Sequence, residues 1–196
     1  MSSQPKILLS ENEYLARERL ASFKSEYFRG EIFAMAGASE RHNLIASNMI
    51  VSLGQQLKKR PCRVYPSDLR VKVKRSGLIT YPDITVVCGK NELLPEHGDV
   101  MLNPIVIVEV LSDSTEAYDR GKKFEHYRTI DSLQEYVLIS QDRVSVEWFS
   151  RSKDHPGWSL NATQDIQGEL RLDSIDCVVP VAETYDKFVF DPTTEE

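Results

Sequence analysis

The sequence predicts a mixed α/β domain, a central mixed β-sheet flanked by helices with additional C-terminal strands, and three observations predict it. Short runs rich in β-branched residues recur at residues 69–74, 79–87, 105–111 and 135–139. Residues 40–58 and 115–130 repeat apolar side chains at helical spacing. The run at 105–111 is apolar on both parities, the pattern of a strand covered on both faces. A chain of 196 residues suits one domain with a core that needs no staples. Residues from about 151 to 190 read as a β-rich extension ending in a helix.

In chain order, Ser10 followed by Glu13 has capping-box spacing and opens a helix over 11–23, with Tyr14, Leu15 and Leu20 or Ala21 on its apolar side. Residues 26–35 read as two short strands about a turn at Arg29-Gly30. Ser39 caps a second helix, 40–58, in which Leu44, Ile45, Met49, Ile50, Leu53 and Leu57 recur at helical spacing. Strands follow at 63–65, 69–74 and 79–87. Alternation in the second places Leu69, Val71 and Val73 on one face and Arg70, Lys72 and Lys74 on the other, a basic stripe. Residues 89–104, with Pro95, Gly98 and Pro104, read as a loop or short lid. The strand at 105–111 leads into a helix over 115–130 carrying Tyr118, Phe124, Tyr127 and Ile130. A hairpin at 135–139 and 144–149 turns about Gln141-Asp142, strands follow at 158–162 and 169–172, and a helix over 181–188 ends the pattern.

Charge is unevenly distributed. The chain carries −6 overall, yet residues 58–75 hold eight basic side chains against the single acid Asp68, and the last third is strongly acidic. One basic region on an acidic body suits a nucleic-acid partner engaged through that region. No stretch approaches the roughly 18 apolar residues of a membrane span, and the N-terminus lacks the charged-then-apolar pattern of a secretory leader. The expectation is a cytoplasmic protein without a membrane partner. Cys62, Cys88 and Cys177 are odd in number and widely spaced, and read as buried small hydrophobes rather than a disulfide framework or zinc site.

Glu109 is the chemical anomaly. It interrupts the run Ile105-Val106-Ile107-Val108-Glu109-Val110-Leu111, where an unpaired carboxylate would be several kcal/mol unfavourable and would sooner take up a proton. Asp83, in Tyr81-Pro82-Asp83, opens another β-branched strand. If the strands are neighbours, about 4.8 Å apart, the carboxylates can converge on a hard cation such as Mg²⁺, with Mn²⁺ as a substitute. Phosphodiester hydrolysis then needs a nearby cation or base to orient water. Lys123, on the helix after the Glu109 strand, can reach back over that strand's end, with Lys122 as its close competitor.

Asp83 after Pro82, Glu109 in Val-Glu-Val-Leu-Ser, Asp119-Arg120-Gly121-Lys122-Lys123 and Tyr127 together resemble the Uma2 (DUF820) family, assigned to the PD-(D/E)XK nuclease superfamily. The resemblance extends to residues 30–39 with His42 and to residues 66–71, so it covers about 10–150. It implies a restriction-endonuclease-like core and Mg²⁺-dependent cleavage of DNA by Asp83, Glu109 and Lys123, with Glu31 matching an N-terminal acid of the family. His42 and Asp68 match family positions without an assigned role. One departure stands out: the superfamily's lysine, two residues after the strand acid, falls at Leu111, and Lys123 takes its place. Arg70, Lys72, Lys74 and Lys122 are the expected phosphate contacts. A non-catalytic nucleic-acid-binding module on the same fold is the alternative, and a symmetric homodimer would ease cutting of both strands.

Overall fold

Both halves of the predicted capping box form at Ser10: the Glu13 N–H donates to the Ser10 hydroxyl at 3.3 Å, and the Ser10 N–H donates to the Glu13 carboxylate at 2.8 Å. The molecule is described by a computed structural model over residues 8–152 and 156–190. Helix α1 (Glu11–Glu18) stops short of the expected residue 23. The Glu18 carboxylate accepts from the Ser25 N–H at 2.7 Å and from its hydroxyl, so the chain reverses here and enters a strand.

That strand, β1 (Ser25–Phe28), pairs with β2 (Glu31–Ala34) about Arg29-Gly30. The two turn residues have φ of 49° and 92°, the doubly left-handed geometry of a two-residue hairpin loop. A Cβ on Gly30 would also stand 2.9 Å from the Leu8 Cβ. Helix α2 (Glu40–Leu57) follows, capped by Ser39 as expected. Next come β3 (Cys62–Pro66), β4 (Arg70–Val73), β5 (Leu78–Thr80) and β6 (Ile84–Cys88). The single strand expected over 79–87 is therefore two strands in different sheets, broken at Tyr81-Pro82-Asp83, where Pro82 has no N–H for a ladder. The expected loop at 89–104 contains β7 (Leu93–Leu94) and β8 (His97–Met101), and β8 pairs parallel with β4.

After β9 (Val106–Leu111), the expected helix is α3 (Glu116–Tyr118), a π-helical turn at Asp119–Lys123 and α4 (Phe124–Tyr127). Strands β10 (Glu135–Ser140), β11 (Val146–Arg151), β12 (Trp158–Thr163), β13 (Glu169–Leu172) and β14 (Cys177–Pro180) follow. Helix α5 (Val181–Thr184) is one short turn rather than a helix to residue 188, and β14 is a strand beyond those the residue pattern predicts.

The strands form two mixed six-stranded sheets, ordered β2-β1-β5-β4-β8-β7 and β12-β11-β10-β9-β6-β3, with β13-β14 as a separate hairpin. The sheet containing β9 is the expected mixed central sheet, and a second six-stranded sheet accompanies it. In the sheet containing β9, Val106, Val108 and Val110 join Ile45, Met49 and Leu53 of α2 and Leu170, Val179 and Val181 of the C-terminal segment. Ile107 and Leu111 face the opposite way, toward Val71 and Val73 of β4 and Tyr127 of α4. Every residue of β9 is buried, as its two-parity pattern predicts. Glu109 shares the parity of Ile107, so it points into the second layer.

Two further expectations are corrected. Cys62 and Cys88 form a disulfide, because the β3/β6 register sets them directly opposite each other, a proximity across 26 residues that sequence spacing conceals. Cys177 is buried and free, as expected. The basic stripe is also not an open face. Arg70 is buried and donates to the Tyr81 hydroxyl at 2.6 Å and to Asp99 at 2.5 Å, while Lys72 pairs with Glu11 at 2.6 Å. The charges of that face are met by acids from α1 and β8, and only Lys74, 3.8 Å from Glu92, is well exposed.

Candidate active site

The register of β6 and β9 explains how two acids 26 residues apart in sequence meet. The strands are antiparallel neighbours with Ile84 opposite Val108, which sets Asp83 beside Glu109 at the end of the ladder. The Val110 N–H, freed at that end, donates to Asp83 Oδ2 at 2.8 Å, and the Asp83 N–H makes a long 3.4 Å contact with Glu109 Oε2. The other oxygen of Asp83 lies 2.9 Å from His42 Nε2 in the first turn of α2. Asp83 is therefore held from the α2 side by an imidazole and from the sheet side by a backbone amide.

Glu109 is only 3% exposed. Its Oε1 accepts from the Tyr127 hydroxyl at 2.9 Å and lies 2.8 Å from Lys123 Nζ. Lys123 also stands 3.1 Å from Asp119 Oδ1 and 3.5 Å from Glu26 Oε1. The Asp119 contact is electrostatic: the oxygen lies within ion-pair reach but outside hydrogen-bond geometry. The π-turn accounts for this convergence, since its wider winding keeps Asp119, Lys123 and Tyr127, successively four apart, on one buried side of the helix. Lys122 is exposed on the other side, which decides between the two lysines in favour of Lys123 as the one that meets Glu109. Leu111, two residues beyond Glu109, is buried among apolar side chains.

Burial pushes the Glu109 carboxyl up to about 8, with Asp83 and Asp119 adding to the rise and Lys123 opposing it. Burial also works against charge on Lys123, but Glu109, Asp119 and Glu26 outweigh it and hold the ammonium well above the ordinary lysine value. The lysine is thus a fixed positive charge among an excess of carboxylates.

The hairpin acid that meets Lys123 is Glu26 rather than Glu31. Glu26 accepts from the Thr80 hydroxyl, and from the Tyr118 hydroxyl at 3.0 Å. Glu31 begins β2, opposite Phe28 and next to the turn, and is partly exposed. Asp68 lies at the surface and pairs with Lys24 at 2.6 Å. Sequence reasoning missed Glu26 and gave Asp119 no role beyond its place in the motif Asp119-Arg120-Gly121-Lys122-Lys123. The available signals were the alternation of Glu26 with Tyr27 in a strand, and the four-residue spacing of Asp119, Lys123 and Tyr127.

Among the described residues, no group of three or more His, Cys, Asp or Glu side chains has metal-holding geometry. Asp83 and Glu109 form a smaller set of hard oxygen donors, which suits a cation that retains water and takes phosphate oxygens. Glu109 Oε2, with only its long backbone contact, faces a neighbouring carboxylate in a buried setting, where added positive charge would relieve the repulsion. The residues therefore fit a divalent cation held by two carboxylates. Among the described residues, no helix is long and apolar enough to cross a membrane.

Comparison with known proteins agrees with this architecture. A sequence profile of the Uma2 family, described as "Putative restriction endonuclease", matches residues 12–178. The Synechocystis sp. protein sll1609 is 36% identical over 165 residues, spanning 84% of this chain and 93% of that one. Another protein of the same organism, slr1290, is 34% identical over 179 residues, spanning 91% and 93%. A crystal structure described as "a putative nuclease belonging to DUF820" from Anabaena variabilis ATCC 29413 superposes with a TM-score of 0.72 at 18% identity, covering 91% of this chain and 98% of that one. That likeness concerns the fold, a mixed α+β, restriction-endonuclease-like core.

Proposed function

This chain belongs to the Uma2 family, and from that premise we propose that it is a divalent-cation-dependent DNA endonuclease hydrolysing phosphodiester bonds. The observation that carries the reading is the convergence of Asp83, Glu109 and Lys123 at one end of β6 and β9. Asp83 and Glu109 would hold Mg²⁺ or Mn²⁺, which supplies an acidified water and neutralises phosphate charge. His42 and the Val110 N–H fix both oxygens of Asp83, so that carboxylate reaches the substrate already oriented. Tyr127 and Lys123 fix Oε1 of Glu109 and leave Oε2 turned toward Asp83. Lys123 keeps its proton, and its ammonium orients the attacking water and steadies the developing negative charge. Glu26 and Asp119 anchor the lysine. Lys74 and Lys122 retain the exposure needed to meet flanking phosphates; Arg70 and Lys72 are engaged within the fold.

The test is incubation of purified protein with supercoiled and linear DNA in Mg²⁺ or Mn²⁺. Nicking is expected, with loss in Glu109→Ala and Lys123→Met. Failure to cut any form of DNA with either ion would sink the reading. DNA binding that weakens steeply with salt and persists without divalent ions, with no cutting, would leave a non-catalytic binding module.

A further inference from the structure

The site-facing side of the β1–β2 hairpin carries an aromatic ring that the fold does not bury. Phe33 lies directly opposite Glu26 in the antiparallel register, so their side chains leave the same face of the sheet, about 5 Å apart at Cβ. Glu26 is buried and reaches Lys123, yet Phe33 is 49% exposed. About half of the Phe33 ring surface therefore stands open to solvent beside a buried ion cluster. A second ring stands at the same carboxylate: Tyr118 donates its hydroxyl to Glu26 Oε2 at 3.0 Å, and its ring lies 5.9 Å from Lys123 Nζ. The chain then runs from β2 through the exposed small residues Ala36, Gly37 and Ala38 to His42, which contacts Asp83. The hairpin and this connection thus form one rim of the site, uncharged from Ile32 to Ser39.

Resting on the endonuclease reading above, we propose that Phe33 is a specificity-determining residue that stacks on a nucleobase beside the scissile phosphate, so that the preferred substrate is DNA whose bases are unpaired at the cleavage point. An uncharged aromatic rim gives little to a duplex, which presents phosphates outward and keeps its base faces stacked on one another. A single strand offers a free π-face, and stacking on an aromatic side chain is tolerant of sequence. The rim selects DNA structure rather than base identity.

The experiment uses the full chain carrying Glu109→Ala to suppress cutting, with a 2-aminopurine-labelled single-stranded oligonucleotide and its duplex as probes. The single strand should bind more tightly than the duplex. Phe33→Ala and Phe33→Leu should each weaken single-strand binding roughly tenfold while leaving duplex binding within about twofold. Phe33→Trp should retain single-strand binding. Cutting by the parent chain should follow the same order. Leu behaving like Phe would mean apolar packing rather than stacking, and would overturn the proposal. So would equal loss on both probes, or a Phe33→Ala effect confined to oligomeric state in sedimentation. If the parent binds and cuts DNA but the Phe33 variants match it, this inference alone fails; if no form binds any DNA, the endonuclease reading fails with it. Phe33 is exposed on an edge strand, so Phe33→Ala should fold like the parent, and thermal melts beside the parent check it.

Discussion

A carboxyl raised to about 8 in the folded protein keeps its proton over a range in which the unfolded chain, with the ordinary value of 4.5, has lost it. The stability contributed by Glu109 is therefore fully present below about 4.5 and is lost as pH rises through about 8. Thermal melts of the metal-free protein should show this decline against Glu109→Gln, in which that component of the slope vanishes; parallel slopes would contradict the assignment. Cation and proton compete for the same oxygens, so Mg²⁺ affinity measured by calorimetry should rise over the same window. Lys123 and Lys122 separate just as cleanly. Lys123→Met leaves Glu109, Asp119 and Glu26 without their buried cation and should destabilise by about 3 kcal/mol while abolishing nicking. Lys122→Met should stay within about 0.5 kcal/mol of the parent in denaturant titration.

At the scale of elements, α1 is fastened to its sheet through Asp99 of β8. Asp99 pairs with Arg19 at 2.7 Å and Arg70 at 2.5 Å, and the Arg19 hydrogen bond, with Arg70 assisting against burial, lowers its carboxyl to about 2. Its stabilising effect is present above the ordinary value of 3.8 and is lost as pH falls through about 2. Asp99 is partly exposed and screened, so Asp99→Asn should lower stability near neutral pH by only about 1–2 kcal/mol, mainly through the half-abandoned Arg70. That deficit should shrink on acidification in urea titrations. The disulfide closes a 26-residue separation between β3 and β6. Chain-entropy arguments give about 3.5 kcal/mol for such a closure. Reductant should lower the melting temperature of the parent and leave the Cys62→Ala/Cys88→Ala variant unmoved.

Across the whole molecule, the C-terminal segment is part of the main core. Leu170, Leu172, Val179, Val181 and Tyr185 pack in one cluster with Ile45, Met49 and Leu53 of α2, and Asn48 and Gln56 of α2 donate to backbone carbonyls of that segment. A chain ending at residue 164 would expose the apolar side of α2 and of β9. It should bind a hydrophobic dye and melt without cooperativity, even though every proposed active-site residue is retained; a cooperative melt equal to the parent's would refute this. The site is therefore supported from two layers, α2 and the C-terminal hairpin on one side of β9, the π-turn helix and second sheet on the other.

Much of this was legible in local pattern. The β9 run, the caps at Ser10 and Ser39, the Arg29-Gly30 turn and the acids at Asp83 and Glu109 all depend on neighbours within a few residues, where capping, turn geometry and strand parity act. The sequence by itself determined that a buried strand would carry a carboxylate in need of a counter-charge. Only tertiary structure decided which charges meet it. Glu26 and Glu31 flank the same turn, and local pattern does not say which reaches the core; the hairpin's packing against β5 and the π-turn selects Glu26. Arg70 and Lys72 form an alternating basic stripe until α1 and Asp99 cover it. Cys62 and Cys88 are remote until β3 and β6 pair. The reason is common to all three: Coulomb and covalent contacts depend on distance in space, and for residues far apart in the chain that distance is set by how sheets and helices stack.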